Sequence, residues 1–585
     1  MYDWYVVLCG VKGFPRGQWI WFAWLAVFLA LTAKPFLREV EYFKSPGPQF
    51  STLFVASLPV IAAALLVYSR LRRASLWRYE PIAVTAVPTV AFLVYEPLAT
   101  LVTLSVLAAC YAAGRAVRRG LALEIEDAAG DIAVSAAAGY ALLSYGLFWL
   151  GLAHLYYPAV FVLLIAAPLA AFYGELPALG RACRRLWAGW TGDEELRRPL
   201  AGLLALFGAL FAAVTAMAAL APSVVFDALK MHLTLAATFA GQHSLRPLPL
   251  LDYSYFPQGV EVLMTASYAL AGQAGAQMVT PVFFALTLML LASIVRRSGA
   301  SRLSVLAGVV GAGSMPFLHW SGSVAKNDMA LALYQLAALD AYLRWRESGH
   351  FRWVWLGTFF LAASFGVKHV ALLGGISIGL LYLQAVWRQK RRRLAAAALA
   401  VIFGVFGLCW HARAFRLTGN PVYPERLSRG VRLDTPSPPW AKTQKVPYRI
   451  LRPWRLLYDG KPFFESPLAQ PMGVVLLMSL PVWLLVRRRD ASPTEKACLF
   501  FAGVSLAYWV YHIPALRYAL APLALLVALT AARLPLLGVL YGRWCGVSAA
   551  VALAYALLFG ACGVLIIEVN APQIRYFARR LDQAG

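Results

Sequence analysis

Polar surface is what this sequence lacks. Only 14% of its 585 residues are charged and 61% are hydrophobic, too few polar groups to cover a soluble globule of that length. The apolar residues recur in runs close to the length that crosses a bilayer, so the expected fold is an all-α, polytopic membrane protein. The first run, 19–33, is followed by Lys34 and Pro35 and not by a small-residue cleavage site, and reads as a retained span. Cysteine is scarce as well. Cys9, Cys110, Cys183, Cys409, Cys498, Cys545 and Cys562 form no CxxC pair and lie in or beside apolar runs, which implies neither a disulfide framework nor a zinc site. Acids are outnumbered 27 to 53 by Lys and Arg, a net charge of +26. The bases sit in short clusters between apolar runs, where the positive-inside effect places them, so the excess needs no nucleic acid. A cytoplasmic Gly-rich phosphate loop is also missing, which argues against a nucleotide-sugar donor.

What is present is a series of about seventeen apolar runs, each of roughly 15–25 residues. They fall at 19–33, 51–68, 81–95, 97–117, 132–152, 156–173, 200–221, 277–295, 303–318, 329–343, 353–367, 369–386, 395–410, 471–486, 497–511, 518–532 and 546–567. With that count, the clusters Arg70/Arg72/Arg73, Arg115/Arg118/Arg119, Arg181/Arg184/Arg185, Arg296/Arg297, Arg344/Arg346, 388–393 and 487–489 share one side, which is then cytoplasmic. The other side receives 222–257, the turn at Lys326 and Asp328, the break Gly366-Val367-Lys368, the loop 416–470 and Arg517. That loop carries ten Lys or Arg against Glu425, Asp434, Asp459 and Glu465. Charge alone would place it inside; parity places it outside, where a basic surface suits a phosphate-bearing substrate. The stretch 260–271 is too short to span, and 226–240 mixes Asp227, Lys230, His232 and Thr234 with leucines, so both read as interfacial helices of the first large outer loop. The expected division is a membrane region 1–198 of about six spans, a core 199–415 of about seven, the loop 416–470, and a C-terminal region 471–585 of about four.

Charges at membrane depth are costly and demand a partner, a wet cavity or a function. Asp227 and Asp328 open outer segments on the same side, and such a pair can supply a general base for an acceptor hydroxyl and a group that positions substrate or binds a cation. The structural alternative is that Asp227 pairs with Lys230 or caps a helix, and that Asp328 caps its span with Asn327.

From Leu200 onward the chain resembles the C-type glycosyltransferase superfamily, in particular bacterial relatives of protein O-mannosyltransferases and lipid A aminoarabinose transferases. The matching pieces are Phe226-Asp227-Ala228-Leu229-Lys230-Met231-His232-Leu233, Tyr255-Phe256-Pro257-Gln258-Gly259-Val260-Glu261, Lys326-Asn327-Asp328-Met329-Ala330-Leu331-Ala332-Leu333, Gly366-Val367-Lys368-His369, Gly419-Asn420-Pro421-Val422-Tyr423-Pro424 and Arg517-Tyr518. The resemblance implies a core with an acid and two juxtamembrane helices in its first outer loop and a second acid at the next outer turn. Asp227 and Asp328 stand in those places. Many relatives carry paired acids in that loop, whereas Asp227 stands between Phe226 and Ala228; a divalent metal therefore has thin support, and no cofactor is firmly implied.

Transfer from a polyprenyl-phosphate sugar expels an anionic phosphate whose charge must be stabilised as it develops. Lys368 and Arg517 are the first candidates, with Lys326 and His232 next. The plainer roles are a counter-ion to Asp328 for Lys368 and snorkelling for Arg517. Tyr255 and His319 can stack on or bond a sugar ring, as an aromatic belt would also place them. His411 and Arg413 close the last span of the core, facing either the same cavity or lipid headgroups. Glu261 fits a helix-terminal or a substrate role. The expected activity is inverting transfer, with Asp227 as base, from a polyprenyl-phosphate or -diphosphate sugar to an unidentified saccharide, lipid or protein acceptor. The expected place is the extracytoplasmic side of a bacterial plasma membrane. A transporter or flippase of a lipid-linked saccharide is the alternative; no repeat between halves favours it.

Overall fold

The computed structural model describes residues 16–42, 90, 93–423, 474–486, 492–511 and 515–568, and among them there are helices and no strand. Among the described residues seven helices are long and apolar enough to cross a membrane, or up to ten if each of three bent pairs is one span. The protein is thus an integral, multi-pass membrane protein. That number and the expectation of about seventeen differ for identifiable reasons. The expected span 51–68 lies outside the described residues, as do most of 81–95 and part of 471–486. Three other expected spans are bent: Pro158–Ala171 turns 63° into Tyr173–Thr191, Arg302–Gly313 turns 72° into Pro316–Ser323, and Arg392–Gly407 turns 52° into Cys409–Thr418. At the sharpest bend Pro316 takes the first helical position after Met315 in extended backbone, so a proline inside an apolar run restarts the helix at a new angle. Arg352–Val367 is a shorter apolar helix, and Asp328–Ser348 carries Asp328, Asp340, Arg344, Arg346 and Glu347.

Small residues let these helices approach closely, as is usual where lipid offers no hydrophobic drive for association. Pro97–Gly120 and Ala128–Leu152 cross at Gly114 and Gly139, where a Cβ would run into the Ser135 and Cys110 carbonyl oxygens. Between Leu220 and Val279 the chain makes a π-turn, Ala228–His232, then the helices Leu233–Gly241 and Glu261–Gln277, the latter interrupted at Ala271 and Gly272. Gln277 anchors the start of this excursion. Its Nε2 donates to the Ala219 and Ala221 carbonyls at 3.0 and 2.9 Å, and its Oε1 accepts from the Ser223 N–H at 3.0 Å.

Candidate functional site

Three chain breaks meet beside this excursion. Asp227 precedes the π-turn; wider turns of this kind are frequent at functional sites, and here it leaves Lys230 exposed while burying His232. Asn327 and Asp328 start the helix Asp328–Ser348, and Lys368, in extended backbone, separates Arg352–Val367 from the turn His369–Ala371. A glycine contact locks two of these segments together: the Gly259 N–H donates to the Gly366 carbonyl at 2.9 Å, and a Cβ at 259 would lie 2.8 Å from that oxygen. Only glycine permits this approach. Arg413 pins the remainder of the excursion by donating to the Ser254 and Leu245 carbonyls at 3.0 and 2.8 Å.

These segments enclose a cavity of about 470 Å³, lined by Asp227, His232, Glu261, Asn327, Asp328, Lys368 and Arg517 on its polar side and by Met231, Leu235, Val370, Leu372, Leu373 and Val422 on its apolar side. The size suits a small organic group, and a few convergent polar residues against an apolar wall is the usual make-up of a ligand site. Leu372, on this wall, is exposed, as are Val224, Phe226, Leu229 and Leu250 on the nearby excursion.

The charges interlock. Arg517 donates to Asp227 Oδ2 at 2.8 Å, and the buried Lys326 ammonium lies 3.1 Å from the same oxygen and 4.0 Å from the Trp320 ring centroid. Burial alone would raise the Asp227 carboxyl, but Lys326 and Arg517 outweigh it and hold it at about 2. Desolvation in turn lowers the Lys326 ammonium against the pull of Asp328 and Asp227. Lys368 Nζ reaches Asp328 Oδ1 at 2.5 Å. Glu261 Oε1 lies 2.7 Å from His232 Nδ1 and accepts from Asn327 Nδ2 at 2.9 Å.

Of the residues singled out from sequence, Asp227, Asp328, Lys368, Arg517 and His232 line the cavity, and Lys326 backs Asp227. Four others do not line it. His319 is buried with its Nε2 2.8 Å from Thr215 Oγ1 and 3.0 Å from the Phe211 carbonyl. Arg413 is spent on the two loop carbonyls. His411 stands behind His369, its Nε2 3.3 Å from His369 Nδ1, and Tyr255 packs edge-on against Tyr423 at 5.7 Å between centroids. Nor does Asp227 pair with Lys230, whose ammonium lies over the Phe226 ring. Sequence reasoning passed over Gln258, Asn327 and His369 as site residues, although all three flank residues it had named. No group of three or more His, Cys, Asp or Glu among the described residues is arranged to hold a metal.

No family model, curated protein or solved structure matches the chain.

Proposed function

We propose that the cavity is the reaction site of a membrane glycosyltransferase that takes its sugar from a polyprenyl-phosphate or -diphosphate donor on the non-cytoplasmic side. The observation that carries this reading is the convergence of a carboxylate, Asp227, and two cations, Arg517 and Lys368, on one cavity whose other wall is apolar. A lipid-linked sugar has the matching parts: a chain for the apolar wall, an anionic phosphate for the cations and a hydroxylated ring between them. The exposed apolar residues Val224, Phe226, Leu229 and Leu250 suit an excursion lying at the membrane interface, as the leucine-rich pattern of 226–240 suggested.

The charge pairing also sets an order of events. A carboxyl at about 2 is a poor base while Arg517 holds it, because general-base efficiency falls as the pKa drops below the working pH. An entering phosphate competes for Arg517, which has the forked geometry to take a phosphate instead of a carboxylate. Asp227 then loses part of its neutralising charge and becomes more basic where the acceptor hydroxyl arrives. The acceptor oxygen attacks the anomeric carbon and its proton passes to Asp227; the carbon–oxygen bond to phosphate breaks, and its electron pair leaves on the phosphate beside Arg517 and Lys368. Attack opposite the leaving group inverts the anomeric centre.

The test is transfer by purified full-length protein in nanodiscs, supplied with radiolabelled polyprenyl-phosphate hexose or pentose and an envelope extract as acceptor source. Asp227→Asn should lower turnover by about 100- to 10,000-fold and still bind donor, since the amide keeps shape and loses basicity. Near-parental turnover in that variant would remove Asp227 as base. In sealed proteoliposomes, movement of intact donor across the bilayer without any transfer would make the protein a flippase.

A further inference from the structure

Tyr518 follows Arg517 directly in the chain, and both are half-buried residues of the cavity wall. The backbone explains why the two side chains reach it. Ala515 is extended, and Leu516–Ala519 then makes a tight turn before the helix Leu520–Arg533, burying Leu516 and Ala519 and leaving Arg517 and Tyr518 on the cavity. Two cations from distant parts of the chain meet on the Tyr518 ring: the Arg517 guanidinium carbon lies 5.3 Å from its centroid and Lys368 Nζ 5.6 Å. Both distances are within the reach of a cation–ring attraction. Each cation also holds a different carboxylate, Arg517 that of Asp227 and Lys368 that of Asp328. The ring is therefore the point at which two ion pairs join.

Two like charges on one ring repel each other, and two separate ion pairs would be served as well with the cations apart. A shared ring has a different use. Its face attracts each cation through the ring quadrupole and carries no net charge, so it does not compete with an anionic ligand as Asp227 and Asp328 do. A cation that trades a carboxylate for an entering phosphate thus keeps one contact throughout the exchange. Both heads can be reached from the cavity, since the Lys368 and Arg517 side chains are 19% and 21% exposed. We propose that Tyr518 is a positioning residue whose ring holds Arg517 and Lys368 together, so that one lipid phosphate is gripped by both. This rests on the lipid-phosphate reading above and gives its two cations a common support.

The experiment is calorimetric titration of the full chain in nanodiscs with C10 prenyl phosphate. Tyr518→Phe keeps the ring and should bind within about 2-fold of the parent, whereas Tyr518→Leu removes it and should bind about 5- to 30-fold more weakly, the size expected for two cation–ring contacts. In an Arg517→Gln background one of the two cations is gone. There the same Tyr518→Leu change should cost only about 2- to 5-fold, a coupling that a general packing defect would not produce. If Tyr518→Leu does not fold, Tyr518→Phe with one, two and three ring fluorines decides, because fluorine weakens the negative face with little change of shape and affinity should fall with each one. Parental affinity in Tyr518→Leu, a loss in Tyr518→Phe as large as that in Tyr518→Leu, an equal cost of ring removal in both backgrounds, or a flat fluorine series would each overturn the role of the ring and leave the phosphate reading standing. A parent that binds no prenyl phosphate would overturn both.

Discussion

The two ends of the helix Asp328–Ser348 hold buried charge in opposite ways. At its far end, about 18–24 Å from Asp328 at 1.5 Å per residue, Asp340 is fully buried between Arg344 at 2.5 Å and Arg297 at 3.3 Å, and Arg344 also reaches Asp127 at 3.3 Å. Asp127 accepts from the Gly130 N–H and Ser293 Oγ in addition. Arg118 pairs with Asp131, which takes a further bond from the Tyr111 hydroxyl, and Glu175 is shared by Arg115 and Arg119. Where a buried atom there misses hydrogen-bond alignment, as Arg115 Nε and Asp340 Oδ1 do, an opposite charge still stands within 4 Å. At the near end the ion pairs border an open cavity, and four buried oxygens of residues that line it, Gln258 Oε1, Glu261 Oε2, Asn327 Oδ1 and Asp328 Oδ2, have no hydrogen-bond partner among the described residues. Both ends carry the cost of buried charge and both border a cavity, of about 470 Å³ at the near end and about 710 Å³, lined by Arg115, Arg118, Arg119, Arg181, Arg184 and Arg185, at the far end; only the near one sets carboxylates and cations against an apolar wall.

The sharpest way to break this contrast is to exchange the expected effects. Asp227→Asn should act on turnover by the factor given above and cost only about 2 kcal/mol of stability, the contribution of its depressed carboxyl. Asp340→Ala should do the reverse: stripping one partner from a buried network leaves Arg297 and Arg344 uncompensated and costs about 3–5 kcal/mol of stability, measured as a large drop in melting temperature. Donor affinity in the folded fraction should be parental. A catalytic defect from Asp340→Ala without loss of stability would make the far end a second functional site.

A smaller effect follows from acidification. Asp227 is held at about 2, below the usual carboxylate value of 3.8, so it stabilises the fold in full above pH 4 and this contribution disappears as the pH falls through 2. The loss should be about 2 kcal/mol, visible as a step in thermal stability between pH 4 and 2 that Asp227→Asn abolishes. Smallest of all is Lys230→Ala. Because Lys230 is exposed and directed at Phe226, its removal should change stability by less than about 0.5 kcal/mol; a change as large as that of Asp227→Asn would restore a structural Asp227–Lys230 pair.

The contrast between the ends was partly legible in the sequence. Asp227, Asp328, Lys368 and Arg517 stand out there because each interrupts or borders an apolar run, where a charge needs a reason. The glycine-containing break before Lys368 was visible too, but not the backbone approach that Gly259 and Gly366 make. The contact of Asn327 with Glu261 was not legible, because it depends on residues 66 positions apart in the chain folding onto one another. His319 looked like a sugar ligand for a similar reason: its partner Thr215 is remote in sequence, and a histidine beside a tryptophan at a run's end gives no sign that its ring is already bonded. The bends at Pro316 and after Ala171 and Gly407 were hidden because hydropathy measures how apolar a run is and not its direction.

The central claim is that the near end binds a lipid phosphate through Arg517 and that the arginine-rich far end does not. Arg517→Gln is the cleanest probe, because it leaves Asp227 paired with Lys326, and Arg184→Gln, an exposed arginine at the far end, is its matched control. The affinity of purified protein for C10 prenyl phosphate should fall about 10- to 100-fold in Arg517→Gln, as expected for losing one charge-assisted contact, and stay unchanged in Arg184→Gln. Equal affinity in Arg517→Gln and the parent, or a loss confined to Arg184→Gln, would contradict the account.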